Sequence, residues 1–162
     1  MKGVIILKKF RWQPYIAFVL FTEAVGALAG ILTHNSMEAY DALTKPPLTP
    51  PGVVFPIVWG VLFLLMGIGA ARIYLSDKPG WKQALIIFGV QLAVNFLWSL
   101  LFFNLQALGF SFIWLIVLWV LIILMIISFW KIDRPAALLQ IPYLLWVAFA
   151  GYLNCAIWIL NK

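Results

Sequence analysis

The chain has 162 residues, of which 65% are hydrophobic and only 10% charged, against roughly 25% charged in ordinary soluble domains. So little polar material cannot clothe a soluble domain, so lipid must be the solvent for most side chains and the backbone must satisfy itself internally. The formal charge of +6 does not point to nucleic acid, because the basic residues flank apolar runs, which is the pattern of topology signals.

Long unalternated runs such as ALIIFGVQLAVNFLWSLLFF over 84–103 read as helices, since barrel strands alternate apolar and polar residues. About 20 apolar residues cross a bilayer. That ruler predicts an all-α polytopic membrane protein, a five-helix bundle forming one domain over 1–162, with spans at about 12–33, 52–75, 81–103, 107–130 and 135–159. Lys2, Lys8, Lys9 and Arg11 precede the first span, Arg72, Lys78 and Lys82 follow the second, and Lys131 and Arg134 follow the fourth. Only Lys45 and Lys162 fall on the other face, which places the N-terminus inside and the C-terminus outside. The first span is too long for a secretory signal and has no cleavage site, so it is expected to be retained.

Span 1 carries Glu23 about midway. A carboxylate facing lipid there would cost roughly 2.5–3.5 kcal/mol, so it should face protein or water. Gly26, Ala27 and Gly30 follow, and their spacing lets another helix approach closely, within the chain or in a homodimer. The connection at 34–51 is longer than the roughly 2–8 residues usual in bundles, which suggests a lid or binding element. Ser36 is placed to cap a short helix bearing Met37, Tyr40 and Leu43, while Pro46, Pro47, Pro50 and Pro51 stiffen the return. His34 has no second ligand at metal-binding spacing, so no metal is expected.

Span 2 is expected to open at Thr49 as cap, with Pro50 and Pro51 in the first turn. Pro56 would then interrupt the ladder and bend the helix before Trp59. Span 5 repeats the device with Pro135, Pro142 and Trp146. Span 3 stacks Gln91, Asn95 and Trp98 on one face, and such amides prefer a bundle interior. Span 4 is nearly all apolar. Its Trp114, Trp119 and Trp130 do not share a face, so one or more should meet lipid or the interface, as should Trp81. Cys155 is the only cysteine, which excludes an intrachain disulfide.

Counting 1.5 Å per residue along each span brings the unusual residues to one depth. Trp59, Asn95, Trp98 and Trp114 fall in the outer half and Trp146 near the midplane, with Ala150 a turn further out. Gly26, Ala27 and Gly30 fall at the same depth and leave volume. The expectation is an aromatic-walled cavity beneath the long loop, suited to a large flat ligand on which indoles stack. The sequence has no His/Cys cluster, no paired carboxylate at matched depth, no phosphate loop and no nucleophile elbow.

The pattern KPP-x-TPPG-xx-FP-x-VW over 45–59, QLAVNFLW over 91–98 and PYLLWVAFAGYLN over 142–154 resembles the tryptophan-rich sensory protein and translocator protein family (TspO/MBR, the peripheral benzodiazepine receptors). The resemblance covers nearly the whole chain. It implies a five-helix bundle, often dimeric, that binds porphyrins such as protoporphyrin IX or haem as ligands, requires no cofactor, and takes benzodiazepine-type compounds. By motif it carries Trp59, Asn95, Trp98, Trp114, Trp146 and Ala150 onto pocket positions, with Tyr40, Pro46, Pro47 and Leu48 in the lid. It also implies an alternative, light-dependent oxidative breakdown of protoporphyrin, with Trp59 and Trp146 as its redox residues. Two positions depart from the family pattern: Ala39 precedes Tyr40 where the family often has tryptophan, and Leu48 replaces another. Tyr152 has no Lys or Arg within five residues after it, so the proposed cholesterol motif is absent. The short chain fits a bacterial member in the cell membrane.

Overall fold

The computed structural model describes residues 11–162, and among these there are helices and turns but no strand. Five stretches are long and apolar enough to cross a bilayer: Gln13–Asp41, Val54–Leu75, Trp81–Asn104, Leu108–Ile132 and Arg134–Leu160. Within them run α1 (Gln13–Thr33), α2 (Met37–Asp41), α3 (Val54–Leu75), α4 (Trp81–Ser99), α5 (Leu108–Ile132), α6 (Arg134–Leu138) and α7 (Ile141–Leu160). The expected all-α, five-span bundle is therefore the fold observed. Lys2, Lys8 and Lys9 of the charge count lie outside the described residues.

The connections at 76–80 and 105–107 are short, so successive long helices run antiparallel. Gly80 closes the first of them at φ 89°, a conformation that costs glycine little. Helix α1 packs chiefly on α3, α3 also meets α4 and α6, and α5 lies between α4 and the α6–α7 pair. Buried positions on α5 are Ser111, Leu115, Leu118, Ile122, Met125, Phe129 and Ile132. Their alternating steps of four and three repeat on α7 through Tyr143, Val147, Ala150, Asn154 and Ile157. This is the seam that lets helices mesh at a shallow left-handed crossing.

The α1–α3 contact is the most extensive between two helices, and small residues permit its close approach. A Cβ on Gly67 would stand 2.6 Å from Val19 Cα, and one on Gly26 would stand 2.3 Å from the Phe63 ring. Between them Thr22 Oγ1 donates to the Phe63 carbonyl at 2.8 Å, satisfying a hydroxyl that lipid could not. Gly30 and Ala27 are exposed, and a Cβ on Gly30 would meet nothing within 4 Å. Of the glycine pair, Gly26 alone has a side-chain packing partner among the described residues. Glu23, next to buried Thr22, is half-buried on α1.

Three local expectations are corrected. Helix α3 starts at Val54, not near Thr49, because Val54 N donates to the Pro51 carbonyl at 2.9 Å in a preceding turn. Thr49 Oγ1 turns back to the Pro46 carbonyl at 2.8 Å instead of capping a helix. Pro56 consequently sits in the first turn of α3, where its missing N–H breaks no helical bond. Ser36 precedes α2 but makes no side-chain cap; its Oγ donates to Asn104 Oδ1 at 2.9 Å.

The last span does not kink at Pro142 but breaks ahead of it, into α6 and α7. Pro142 thereby falls into the opening turn of α7. Fully buried Gln140 fills the break, its Nε2 donating to Ala136 O at 3.2 Å and across to Leu65 O on α3 at 3.3 Å. Gly69 makes room for it, since a Cβ there would lie 2.3 Å from Gln140 Nε2. The third span ends in a π-helical turn over Leu100–Asn104, closed by Leu105 N donating to Leu100 O at 3.0 Å. At the opposite end of the bundle, Arg72 grips Asp133 through Nε at 2.6 Å and Nη2 at 3.2 Å. That pair fastens the end of α3 to the α5–α6 junction.

Candidate ligand site under the first loop

The 34–51 loop is ordered by side chains from distant elements. Asn104, carried round by the π turn, donates to the Leu32 carbonyl at 2.9 Å and accepts from Ser36. Asn161, just past α7, accepts from Thr44 N and donates to Thr44 O, each at 2.9 Å. The loop's one buried ring, Tyr40, meets Phe103 at 5.3 Å and Phe102 at 5.9 Å. Lys45 lies 4.5 Å above the centre of that ring and pairs with Asp41 at 2.9 Å. Pro46 is buried beside this group, whereas Pro47 and Leu48 are exposed.

Beneath Tyr40 the aromatic contacts continue inward. Phe102 stacks on Trp98 at 5.5 Å, and Trp98 lies 6.3 Å from Trp59. Trp59 also meets Phe63 at 5.7 Å and the edge of Tyr143 at 6.2 Å. The rings expected to wall a cavity thus meet one another, with Trp98 and Phe102 buried. Gly26 borders the array through Phe63, while Ala27 lies on the outer side of α1.

Polar groups secure the wall. Asn95 Nδ2 donates to Tyr143 Oη at 2.6 Å, and Tyr143 Oη donates to Gln91 Oε1 at 2.9 Å. The face of Gln91, Asn95 and Trp98 therefore turns into the bundle, where its N–H groups and the Gln91 carbonyl find partners that lipid could not supply. Trp98 Nε1 donates to Asn154 Oδ1 at 3.2 Å, and Ser111 Oγ donates to the same oxygen at 3.1 Å.

Two of the expected tryptophans stand apart from this array. Trp114 lies in the α4–α5 seam, its Nε1 donating to the Val94 carbonyl at 2.9 Å. Trp146 meets instead Phe55, one turn before Trp59 on α3, at 6.0 Å. Its Nε1 is buried and has no hydrogen-bond partner among the described residues, and an indole N–H in that position ordinarily finds one. Ala150 is buried one turn beyond it. Trp119 and Trp130 are exposed on α5, as expected of residues meeting lipid or interface.

Sequence reasoning missed Tyr143, Asn154, Ser111, Phe102, Phe103, Asn104 and Asn161 as structural parts of this region. Polar residues inside apolar runs were a usable signal for Ser111 and Asn154. The two asparagines at helix ends carried none, because such residues are ordinary there.

A bundle of five apolar spans, with tryptophans and amides turned inward beneath a tied-down loop, defines a polytopic helical membrane protein with an aromatic interior. The model of the TspO/MBR family matches residues 18–159, and the chain belongs to that family. It is 39% identical to a tryptophan-rich protein TspO of Chlorobaculum tepidum over 127 residues, 75% of this chain and 78% of the relative. It is 38% identical to the protein CrtK of Rhodobacter capsulatus over 149 residues, 91% and 92% of the two chains. The bovine translocator protein is 32% identical over 151 residues, 91% of this chain and 89% of that one.

Proposed function

We propose that this membrane protein is a receptor or translocator for porphyrins and related tetrapyrroles, held between the 34–51 loop and the aromatic wall below it. The observation that supports this reading most is the run of ring contacts from Tyr40 through Phe102 and Trp98 to Trp59. Its indole and phenyl faces suit a large flat apolar ring system, which enters by displacing Tyr40. The unpaired Nε1 of Trp146 supplies a donor for a polar ligand atom. Trp114 and Ala150 complete the proposed wall, and smaller aromatic drugs of the benzodiazepine type use the same space. The lid faces outside, the N-terminus lies inside the bacterial cell membrane, and a second copy pairs with the first.

Titration of the purified protein with protoporphyrin, read by quenching of tryptophan emission, tests the reading. Trp59→Phe and Trp146→Phe should each weaken binding about 2- to 10-fold, the range set by an aromatic contact worth roughly 0.5–1.5 kcal/mol. Trp130→Phe, on the exposed side of α5, should leave binding unchanged. Equal affinity in all three variants would remove the site.

A further inference from the structure

The end of the bundle opposite the loop has a cleft of its own. It measures about 670 Å³ and is lined by residues of the start of α1, from Arg11 to Phe18, and by Tyr74. Phe18 meets Tyr74 at 5.8 Å, and Tyr74 meets the edge of Trp81 at 5.5 Å, so the floor is a built aromatic surface between α1 and α3. Arg11, Trp12 and Gln13, all exposed, precede these residues in the chain and line the same cleft. An apolar floor beside guanidinium, amide and indole N–H groups matches the layering of a phospholipid, with acyl chain below and headgroup above.

Charge selects among lipids. The described residues place Arg11, Arg72, Lys78, Lys82, Lys131 and Arg134 at this end, against Asp77 and Asp133. Several of these cations are already engaged. Arg72 pairs with Asp133, Lys78 donates to the Ile132 carbonyl, and Lys82 and Arg134 lie 5.6 Å over the rings of Trp81 and Trp130. Arg11, which lines the cleft, has no ion-pair partner among the described residues. We propose that this cleft binds one anionic phospholipid, its phosphate at Arg11 and Gln13 and its chain against Ala17, Phe18 and Tyr74.

Native mass spectrometry of the full chain in detergent tests the site, with phosphatidylglycerol and phosphatidylcholine of identical acyl chains added in turn. Phosphatidylglycerol should be retained preferentially as a single adduct, and soluble glycerol phosphate should not compete for it. Arg11→Gln should weaken that adduct about five-fold, the effect of one basic side chain at an anionic lipid surface. Lys162→Gln, at the far end of the chain, should leave it alone. Equal retention of the two lipids, displacement by glycerol phosphate, or indifference to Arg11→Gln would each overturn the proposal. Protoporphyrin titration of the same Arg11→Gln protein should be unchanged, so failure here stays separate from failure of the site under the loop.

Discussion

Asn161 holds Thr44 at two points, donating to its carbonyl and accepting its N–H, both at 2.9 Å. The two residues are 117 apart in sequence, so one amide ties the returning arm of the loop to the end of α7. Asn161→Ala removes both bonds, each of which contributes at most about 0.5–1.5 kcal/mol net and less in this exposed position. Hydrogen–deuterium exchange across 42–49 should rise several-fold while the thermal midpoint barely moves. Unchanged exchange would mean that the prolines hold the arm alone.

Asn154 is the acceptor for Trp98 Nε1. Asn154→Leu leaves that buried N–H without a partner, whereas Ser111 retains the Leu108 carbonyl at 3.0 Å. One orphaned buried donor costs about 1–3 kcal/mol. Thermal unfolding in detergent should show a lower midpoint, accompanied by a shift in tryptophan emission.

The glycines of α1 and α3 divide into tight and open positions. Gly67→Ala would press a methyl into the backbone of Val19, and such overpacking costs about 1–3 kcal/mol. Gly30→Ala meets open space and should be neutral or slightly stabilising through helix propensity. Reversal of that order in denaturation midpoints would contradict the α1–α3 packing.

Arg72 and Asp133 form a partly buried bidentate pair. Arg72→Met strands a carboxylate and should cost about 1–3 kcal/mol, the range for losing charged hydrogen bonds with some solvent access. The double change with Asp133→Leu should recover part of the loss, because no unpaired charge remains. A double-mutant cycle on thermal midpoints gives the coupling directly.

Light separates holding a porphyrin from consuming it. A receptor should leave bound protoporphyrin bleaching no faster under illumination than in empty detergent. A new bilin-like mass, lost in both Trp59→Phe and Trp146→Phe, would instead assign the photo-oxidative chemistry to those indoles.

The spans were legible because each needs only about 20 apolar residues in a row, a local property. The inward face of Gln91, Asn95 and Trp98 was legible for the same reason, since three- and four-residue spacing places side chains together on any helix. The start of α3 was not. Thr49, Pro50 and Pro51 satisfy every local rule for a helix opening, yet the turn bond from Val54 to Pro51 takes precedence. Depth counting brought Trp59 and Trp146 to one level but could not give their azimuth, so the contact of Trp146 with Phe55 went unseen. The asparagine ties to Leu32 and Thr44 join residues 72 and 117 apart, and no window of sequence contains both ends.

The π turn at Leu100–Asn104 winds one more residue into a single turn than an α-helix would. The wider turn rotates the residues within it away from their places on a regular helix of the same sequence, by up to about 100° at its end. That rotation brings Asn104 to Leu32 and sets Phe102 and Phe103 under Tyr40. The floor beneath the loop is thus set by a phase shift in winding as much as by side-chain identity. Deleting Leu100 or Leu101 from that turn would keep every aromatic ring in the chain and still point Phe102 and Phe103 elsewhere.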